Sequence, residues 1–482
     1  MPSLAFKRVT AIWVITILIP FVIDILFGIA MRFNQGADIK LSPIDFYMLM
    51  TTHGITMIGI WVAAGIVGVN YLLARYIKVS TALSSFALAL TIIAVLMIWA
   101  AILIGKFHAG WTFLYPLPFY VVWEKWATPV FLGGLLLLCV SWLIWTVGIV
   151  LQILKKYTLS QALALQHLAK KTPSVETPPI VLIATVSLAG VIACLIAGII
   201  LLVLLFAEYF SNGSFTNDPL LAKNLTYFFG HTLANESLYL GLAVLYELLP
   251  EVSGRPKFKT TWYVALGWNT ALIFILSAFF HHLYMDFVQP VGLQIFGQIA
   301  SYLASIPSVA VTIMSIAVLL YKNKIQWNLV NILFYIGVMG WVIGGIGALI
   351  DATISNNVIL HNTLWVPAHF HTYNVMGNVL FGLAFFCWLA SEFSDSNISR
   401  QYGLKMALLM IGGFGFVLMF YLAGAYSVPR RFSEYPQEFT SAAMLASAGA
   451  WFACIYLAVI LWLLVDIIKK CVQIFFSPSS AR

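Results

Sequence analysis

The sequence predicts an all-α integral membrane protein of twelve transmembrane helices. Three observations predict it. First, 62% of the 482 residues are hydrophobic and only 9% are charged, with a mean hydropathy of +0.97, whereas soluble domains carry about 25% charged residues. Second, apolar runs long enough to cross a bilayer, roughly 20 residues or more, recur along the whole length. Third, Lys and Arg gather in alternate connections, as they do when one set faces the cytoplasm.

The twelve runs lie at 9–31, 46–76, 84–105, 127–154, 178–208, 223–249, 261–287, 291–321, 328–353, 364–392, 404–427 and 439–469. The first continues into a full-length span without a small-residue cleavage site, so it reads as a helix and not as a signal peptide. With both termini cytoplasmic, the inner segments hold 18 of the 25 Lys and Arg, among them Lys7, Arg8, Arg75, Lys170, Lys171, Lys257, Arg400 and Arg482. The outer segments hold Arg32, Lys40, Lys106, Lys125, Lys223, Arg430 and Arg431. That asymmetry sets the orientation and accounts for the net charge of +8 without a nucleic-acid partner. The expected location is the inner membrane of a prokaryote.

The connections are mostly short, so residues 1–482 read as one membrane domain with no soluble domain. The longest hydrophilic connection, from about Lys155 to Pro179, reads as a surface helix or linker in which His167 is solvated. The Trp and Tyr of the outer loop Gly110-Trp111-Thr112-Phe113-Leu114-Tyr115 suit a membrane interface. No phosphate-cradling loop or paired broken helix of the rocking-transporter kind stands out. The five cysteines form no CxxC or CxxCH pair, which excludes a covalent c-type heme and a cysteine-based metal centre.

The chemistry lies in the histidines. Three of the nine fall in His361-Asn362-Thr363-Leu364-Trp365-Val366-Pro367-Ala368-His369-Phe370-His371. His369 and His371 are two apart, hence roughly 200° apart on a helix, so one helix can present a ligand on each side. The alternating directions of the spans, at 1.5 Å per residue, put His53, His231, His281, His282, His369 and His371 at one depth, in the outer third of the membrane. Four helices supply them. Ionisable groups inside a bilayer are costly and point to function. His231, His281 and His282 can form a three-imidazole site with an open position, suited to copper or iron. His53 and His371 could hold one iron from two sides, as in an electron-transfer heme. His369 could hold a second heme from one side, leaving its other face toward the three-histidine metal: a binuclear pocket for a diatomic gas.

These residues resemble subunit I, the catalytic subunit, of the heme–copper oxidase superfamily, over essentially the whole chain. The resemblance rests on the single His of the second span, the Gly-Trp-Thr-Phe loop, His231, His281-His282, His369-Phe370-His371 and Arg430-Arg431. The wording of His361-Asn362-Thr363, Trp365-Val366-Pro367 and Val428-Pro429-Arg430-Arg431 is most similar to the B-type oxygen reductases. The resemblance implies two hemes and one copper, with non-heme iron the lesser choice. It implies that His53 and His371 ligate the low-spin heme, His369 the high-spin heme, and His231, His281 and His282 the copper. His361 and Asn362 would lie near the heme propionates, and Arg430 and Arg431 would pair with them. It also implies an electron-donating subunit II, of cupredoxin type with a dinuclear copper, with cytochrome c or quinol as ultimate donor. Heme type and proton pumping stay open.

The sequence departs from the family where the substrate reacts. In the common oxygen reductases a tyrosine stands four residues after the first copper ligand; here that residue is Asn235. A second oxidase type takes its tyrosine from the seventh span, at a position that is Ile275 here. Well-known nitric oxide reductases carry Glu at the Asn235 position; here the acid is one place later, at Glu236, pointing about 140° from His231 unless a π-bulge intervenes. Coupling two NO molecules needs no oxygen–oxygen cleavage and so no tyrosine. The expected reaction is therefore reduction of NO to nitrous oxide, with reduction of dioxygen to water as the alternative. Asn235 and Glu236 are the candidate catalytic residues, Glu236 as a proton donor. Tyr246, Ser301, Ser308 and Thr312 match a proton path from the inside, although each hydroxyl can also bond back to its own helix. Asn357 stands where B-type members often have an Asp linked to proton release. Asp24, Glu247 and Asp351 carry no assignment.

Overall fold

The computed structural model describes residues 2–120, 122–169, 175–394 and 402–476. Lys170, Lys171, Arg400 and Arg482 lie outside the described residues. Among the described residues, eleven helices are long and apolar enough to cross a membrane. They are α1 (Leu4–Gln35), α2 (Pro43–Leu73), α3 (Thr81–Ile104), α4 (Ala127–Leu154), α5 (Pro179–Phe210), α7 (Trp262–Leu283), α8 (Val291–Leu320), α9 (Leu329–Asp351), α10 (Trp365–Ser394), α11 (Gly403–Ala425) and α12 (Ser441–Gln473). The twelfth, α6 (Pro219–Val252), is 34 residues long and carries Lys223, Glu236, Glu247 and Glu251. Its polar content belongs to its place in the middle of the protein: from Glu236 to Pro250 every residue is buried.

Local chemistry sets where the helices begin. Ser3, Ser42, Ser80 and Thr261 each accept a hydrogen bond from a backbone N–H in the first turn of the helix they precede. Asp218 accepts from two, ahead of Pro219, and Asn328 and Asn331 form a reciprocal capping box at α9. Three spans change pitch along their length. α3 ends in a π-helical turn at Ala100–Ile104, and α7 tightens to a 3-10 turn at Phe279–Leu283. α10 widens to a π-helical turn at Asn374–Asn378.

Close packing around α10 depends on small residues facing it. On α9, Gly337, Gly340, Gly344 and Gly347 leave room for Phe381, Met376, Tyr373 and His369 respectively. A Cβ at Gly347 would stand 2.9 Å from the Cβ of His369. α10 therefore lies flush against α9 at the turn that carries the histidines.

The inner connection corrects one expectation. His167 is buried, and its Nε2 lies 3.4 Å from the Thr177 N–H, which it faces as acceptor. Burial lowers its proton affinity. The segment folds back on itself, with Thr177 Oγ1 donating to the Gln161 carbonyl at 2.6 Å, and it rests on α7, whose Asn269 donates to the Leu163 carbonyl at 2.9 Å. A run that is polar on average has one face against the bundle, and His167 is on that face.

Candidate functional site

The six histidines expected at one depth line a single cavity of about 410 Å³ that reaches around both sides of α10. His231, His281 and His282 form a corner that could hold a metal ion. One ring nitrogen from each lies within 4.8 Å of the others. The 3-10 turn carries His281 and His282 side by side, their ring centres 4.3 Å apart and 4.8 and 5.1 Å from that of His231. His281 Nδ1 lies 3.0 Å from Ser301 Oγ, which itself donates to the Gly297 carbonyl. Ser301 therefore accepts from Nδ1–H, and Nε2 of His281 is left for a metal. The Nδ1 of His231 is buried without a partner among the described residues. Three neutral imidazoles with a position open to the cavity suit a metal that binds a small molecule.

On the other side of α10, His53 and His371 face each other in nearly parallel planes, 15° apart, with ring centres separated by 6.3 Å. Two imidazole nitrogens each about 2 Å from one metal would bring their ring centres to roughly this spacing. Both Nδ1 atoms lie 2.7 Å from backbone carbonyls, His53 at Asp24 and His371 at Pro367. A carbonyl only accepts, so Nδ1 carries the proton and Nε2 is the free ligand atom in both. Gly28 gives the His53 ring its space: a Cβ there would stand 2.9 Å from Cε1. Phe420 stacks on His371 at 5.0 Å, and Phe416 meets it edge-on at 5.6 Å. The pair can grip a planar tetrapyrrole from both faces.

His369 points to the opposite side of α10, into the part of the cavity shared with the three histidines. Asn235 lines that part. Its Nδ2 donates to the His231 carbonyl at 2.9 Å and lies 3.2 Å from His231 Nε2. Ile275, at the other position where the family can place a tyrosine, also lines it. Glu236 does not. It is fully buried, with both carboxyl oxygens unpartnered among the described residues, and it is directed at Gly190 of α5. The five-residue step along α6 turns it away from His231, so the structure brings only Asn235 into the pocket.

The outer wall joins two distant segments. Thr363 and Pro429 form an isolated antiparallel bridge, the Arg430 N–H donates to the Asn362 carbonyl at 2.8 Å, and the Leu364 N–H donates to the Val428 carbonyl at 2.9 Å. The Arg430 guanidinium donates to Asn362 Oδ1 at 2.9 Å. Arg430 and Arg431 line the cavity, whereas His361 and Asn362 stand behind them. Burial and the neighbouring Arg431 push Arg430 down to about 10, which leaves it charged at neutral pH. Burial, with Arg430 adding to it, pushes His361 down to about 4. Trp111 of the outer loop stacks on Phe370 at 6.1 Å and closes the same wall.

Of the proposed proton path, Ser301 reaches His281, and Tyr246 Oη lies 3.2 Å from Thr312 Oγ1 and 3.4 Å from Ser315 Oγ. Ser308 and Thr312 bond to backbone carbonyls of α8. At the inner end, Glu247 accepts from Arg75 and Lys257, each at 2.8 Å, and from Tyr76 at 2.9 Å.

Sequence reasoning missed two residues. Arg32 is buried, with Nε and Nη2 unpartnered among the described residues and its guanidinium carbon 4.3 Å above the Phe420 ring. Its signal was an arginine beside an apolar run, which is indistinguishable from an outer-loop charge. Tyr227 stacks on His282 at 5.1 Å. It stands four residues before His231, one helical turn away, and that spacing was the available signal.

Fold and site define a multi-pass membrane protein with histidine clusters on both sides of one helix. The family model described as "Cytochrome C and Quinol oxidase polypeptide I" matches residues 8–452. The chain belongs to that family and is the catalytic subunit of a heme–copper oxidoreductase. It is 26% identical over 460 residues to cytochrome c oxidase subunit 1 of Thermostichus vulcanus, covering 91% of this chain and 79% of that protein. It is 25% identical over 426 residues to cytochrome c oxidase subunit 1 of Synechocystis sp. (strain ATCC 27184 / PCC 6803 / Kazusa), covering 85% and 74%. A solved heme–copper terminal oxidase dimer shares the fold, with a TM-score of 0.75 and 21% identity over 100% of this chain and 86% of that one.

Proposed function

We propose that this chain reduces NO to nitrous oxide at a heme and a copper held on the His369 side of α10. The hemes and copper would supply the electron relay and the gas-binding positions. His53 and His371 would hold the low-spin heme, His369 the high-spin heme, and His231, His281 and His282 the copper. Arg430 and Arg431, with Arg32 on the low-spin side, would bind propionates. Asn362 fixes Arg430, and His361 packs behind it. Electrons would come from cytochrome c or quinol through a separate subunit II, in the inner membrane of a prokaryote.

The observation that carries the choice of gas is Asn235 against His231, with Ile275 across the pocket. Neither side chain can give up an electron and a proton as a phenol does. Joining two NO molecules takes two electrons and two protons and yields nitrous oxide and water, with no oxygen–oxygen bond to break. The protons would enter past Tyr246 and Thr312 and arrive at Ser301, whose Oγ lies beside His281.

Reduction of dioxygen to water is the second reading. The named relatives favour it, since both are cytochrome c oxidases, and Tyr227 against His282 offers a phenol at the pocket. Anaerobic turnover of NO with nitrous oxide detection, beside oxygen consumption under the same reductant, tests the choice. Nitrous oxide formation that exceeds oxygen consumption is expected; fast oxygen consumption with no nitrous oxide reverses the ranking. Asn235→Tyr should lower NO turnover, and no change in either activity would show that position to be without effect.

A further inference from the structure

His369 differs from His53 and His371 in what stands behind it. Those two rings have their Nδ1 atoms on neutral backbone carbonyls at 2.7 Å. The Nδ1 of His369 is buried and makes no well-formed hydrogen bond among the described residues; the Trp365 carbonyl, one turn back on its own helix, lies on its side without closing one. A carboxylate faces it: Oδ2 of Asp351, 4.0 Å away. Asp351 closes α9 and is itself buried. Its other oxygen is engaged, with Asn357 Nδ2 3.3 Å from Oδ1 and also donating to the Asp351 carbonyl at 2.9 Å. The side chain is thus clamped with Oδ2 turned to the imidazole. Gly347, one turn earlier on α9, brings the two helices close enough for this.

We propose that Asp351 is a positioning residue for the high-spin heme: its carboxylate accepts the Nδ1–H of His369, orients the ring and makes it a more electron-rich iron ligand than His53 or His371. Metal-bound histidines nearly always give their second N–H to a carbonyl, a carboxylate or water, and that partner tunes the metal. A charged acceptor makes the bond roughly twice as strong as a neutral one. The 4.0 Å separation leaves Oδ2 a modest rotation of ring and carboxyl away from hydrogen-bond contact. Asn357 then has a defined task, holding Oδ1 so that Oδ2 stays on His369.

The inference rests on the reading that His369 binds a heme. Its test is resonance Raman spectroscopy of the reduced holoprotein, which reads the iron–histidine stretch, together with a redox titration that resolves the two hemes. In Asp351→Asn the stretch should move to lower frequency and the high-spin potential should rise, with the low-spin potential unchanged. Asp351→Glu should recover part of both shifts. An unmoved band and potential in Asp351→Asn overturns the inference, as does an equal shift at both hemes. If Asp351→Asn does not assemble, the unmodified protein decides. A stretch in the range of carboxylate-paired imidazoles supports the inference, and one in the range of carbonyl-paired imidazoles overturns it. A protein that shows a low-spin heme but no iron–histidine band removes the heme assignment of His369, and the inference with it.

Discussion

On one face of α10, His371 sits among phenylalanines, with Phe420 stacked on it and Phe416 at its edge, and its Nδ1 is tied to its own helix at Pro367. On the other face, His369 opens toward Asn235, Ser301 and Arg430, with Asp351 behind it. The first face is largely aromatic, with Arg32 above Phe420, and both of its Nδ1 atoms are held by backbone carbonyls. The second is polar and keeps hydroxyl, amide and carboxyl groups within reach of the metal corner. A site that only passes electrons needs fixed ligands and little else, whereas a site that reduces a gas also needs protons. Two residues in the same turn of one helix are thus given opposite surroundings by the helices packed against them.

Breaking one face at a time is the strongest way to test that contrast. His371→Ala should remove the low-spin heme bands from the absorption spectrum and abolish turnover, while the copper content and the high-spin heme remain. Loss of both hemes together would show that the two faces are not independent. The next largest effect is expected at the metal corner. Ser301→Ala leaves the Nδ1–H of His281 without its acceptor and should weaken metal retention about 10–100-fold, read by metal analysis after dialysis against a chelator.

Packing behind the histidines comes third. Gly347→Val places side-chain atoms against His369 and should destabilise the protein by about 1–3 kcal/mol, seen as a lower midpoint in thermal unfolding. The His369 heme should be perturbed before the His371 heme. The smallest effect is at the outer wall. Arg430→Lys keeps the charge but loses the two-pronged grip on Asn362, and should cost about 0.5–1.5 kcal/mol with a modest change in high-spin heme potential only.

The twelve spans and the gathering of six histidines around one cavity were legible because each is expensive to misplace. A bilayer admits long apolar helices, and six imidazoles within its spans are tolerated only for a reason. The direction of Glu236 was legible too, since five residues along a helix fixes an angle. Asp351 was not. Its relation to His369 is a tertiary one, created by how α9 and α10 lie together, and no spacing in the chain encodes it. Arg32 was hidden by its position at the end of an apolar run, where a buried cation and a solvated one have the same neighbours in sequence. His167 failed for the complementary reason: a polar connection was read by its average, and one face of it is inside.

The π-helical turn at Asn374–Asn378 comes directly after His371 and Tyr373. Asn378, which closes the turn, donates from Nδ2 to Ser237 Oγ of α6 at 2.7 Å, and most of the span beyond it is buried. One wide turn carries an extra residue and resets the rotation of everything that follows. It works as a slip joint: the half that carries the ligands is turned to suit the metals, and the half that anchors the bundle is turned to suit its neighbours. Substitutions in the lower half should therefore be absorbed at the joint before they rotate either histidine.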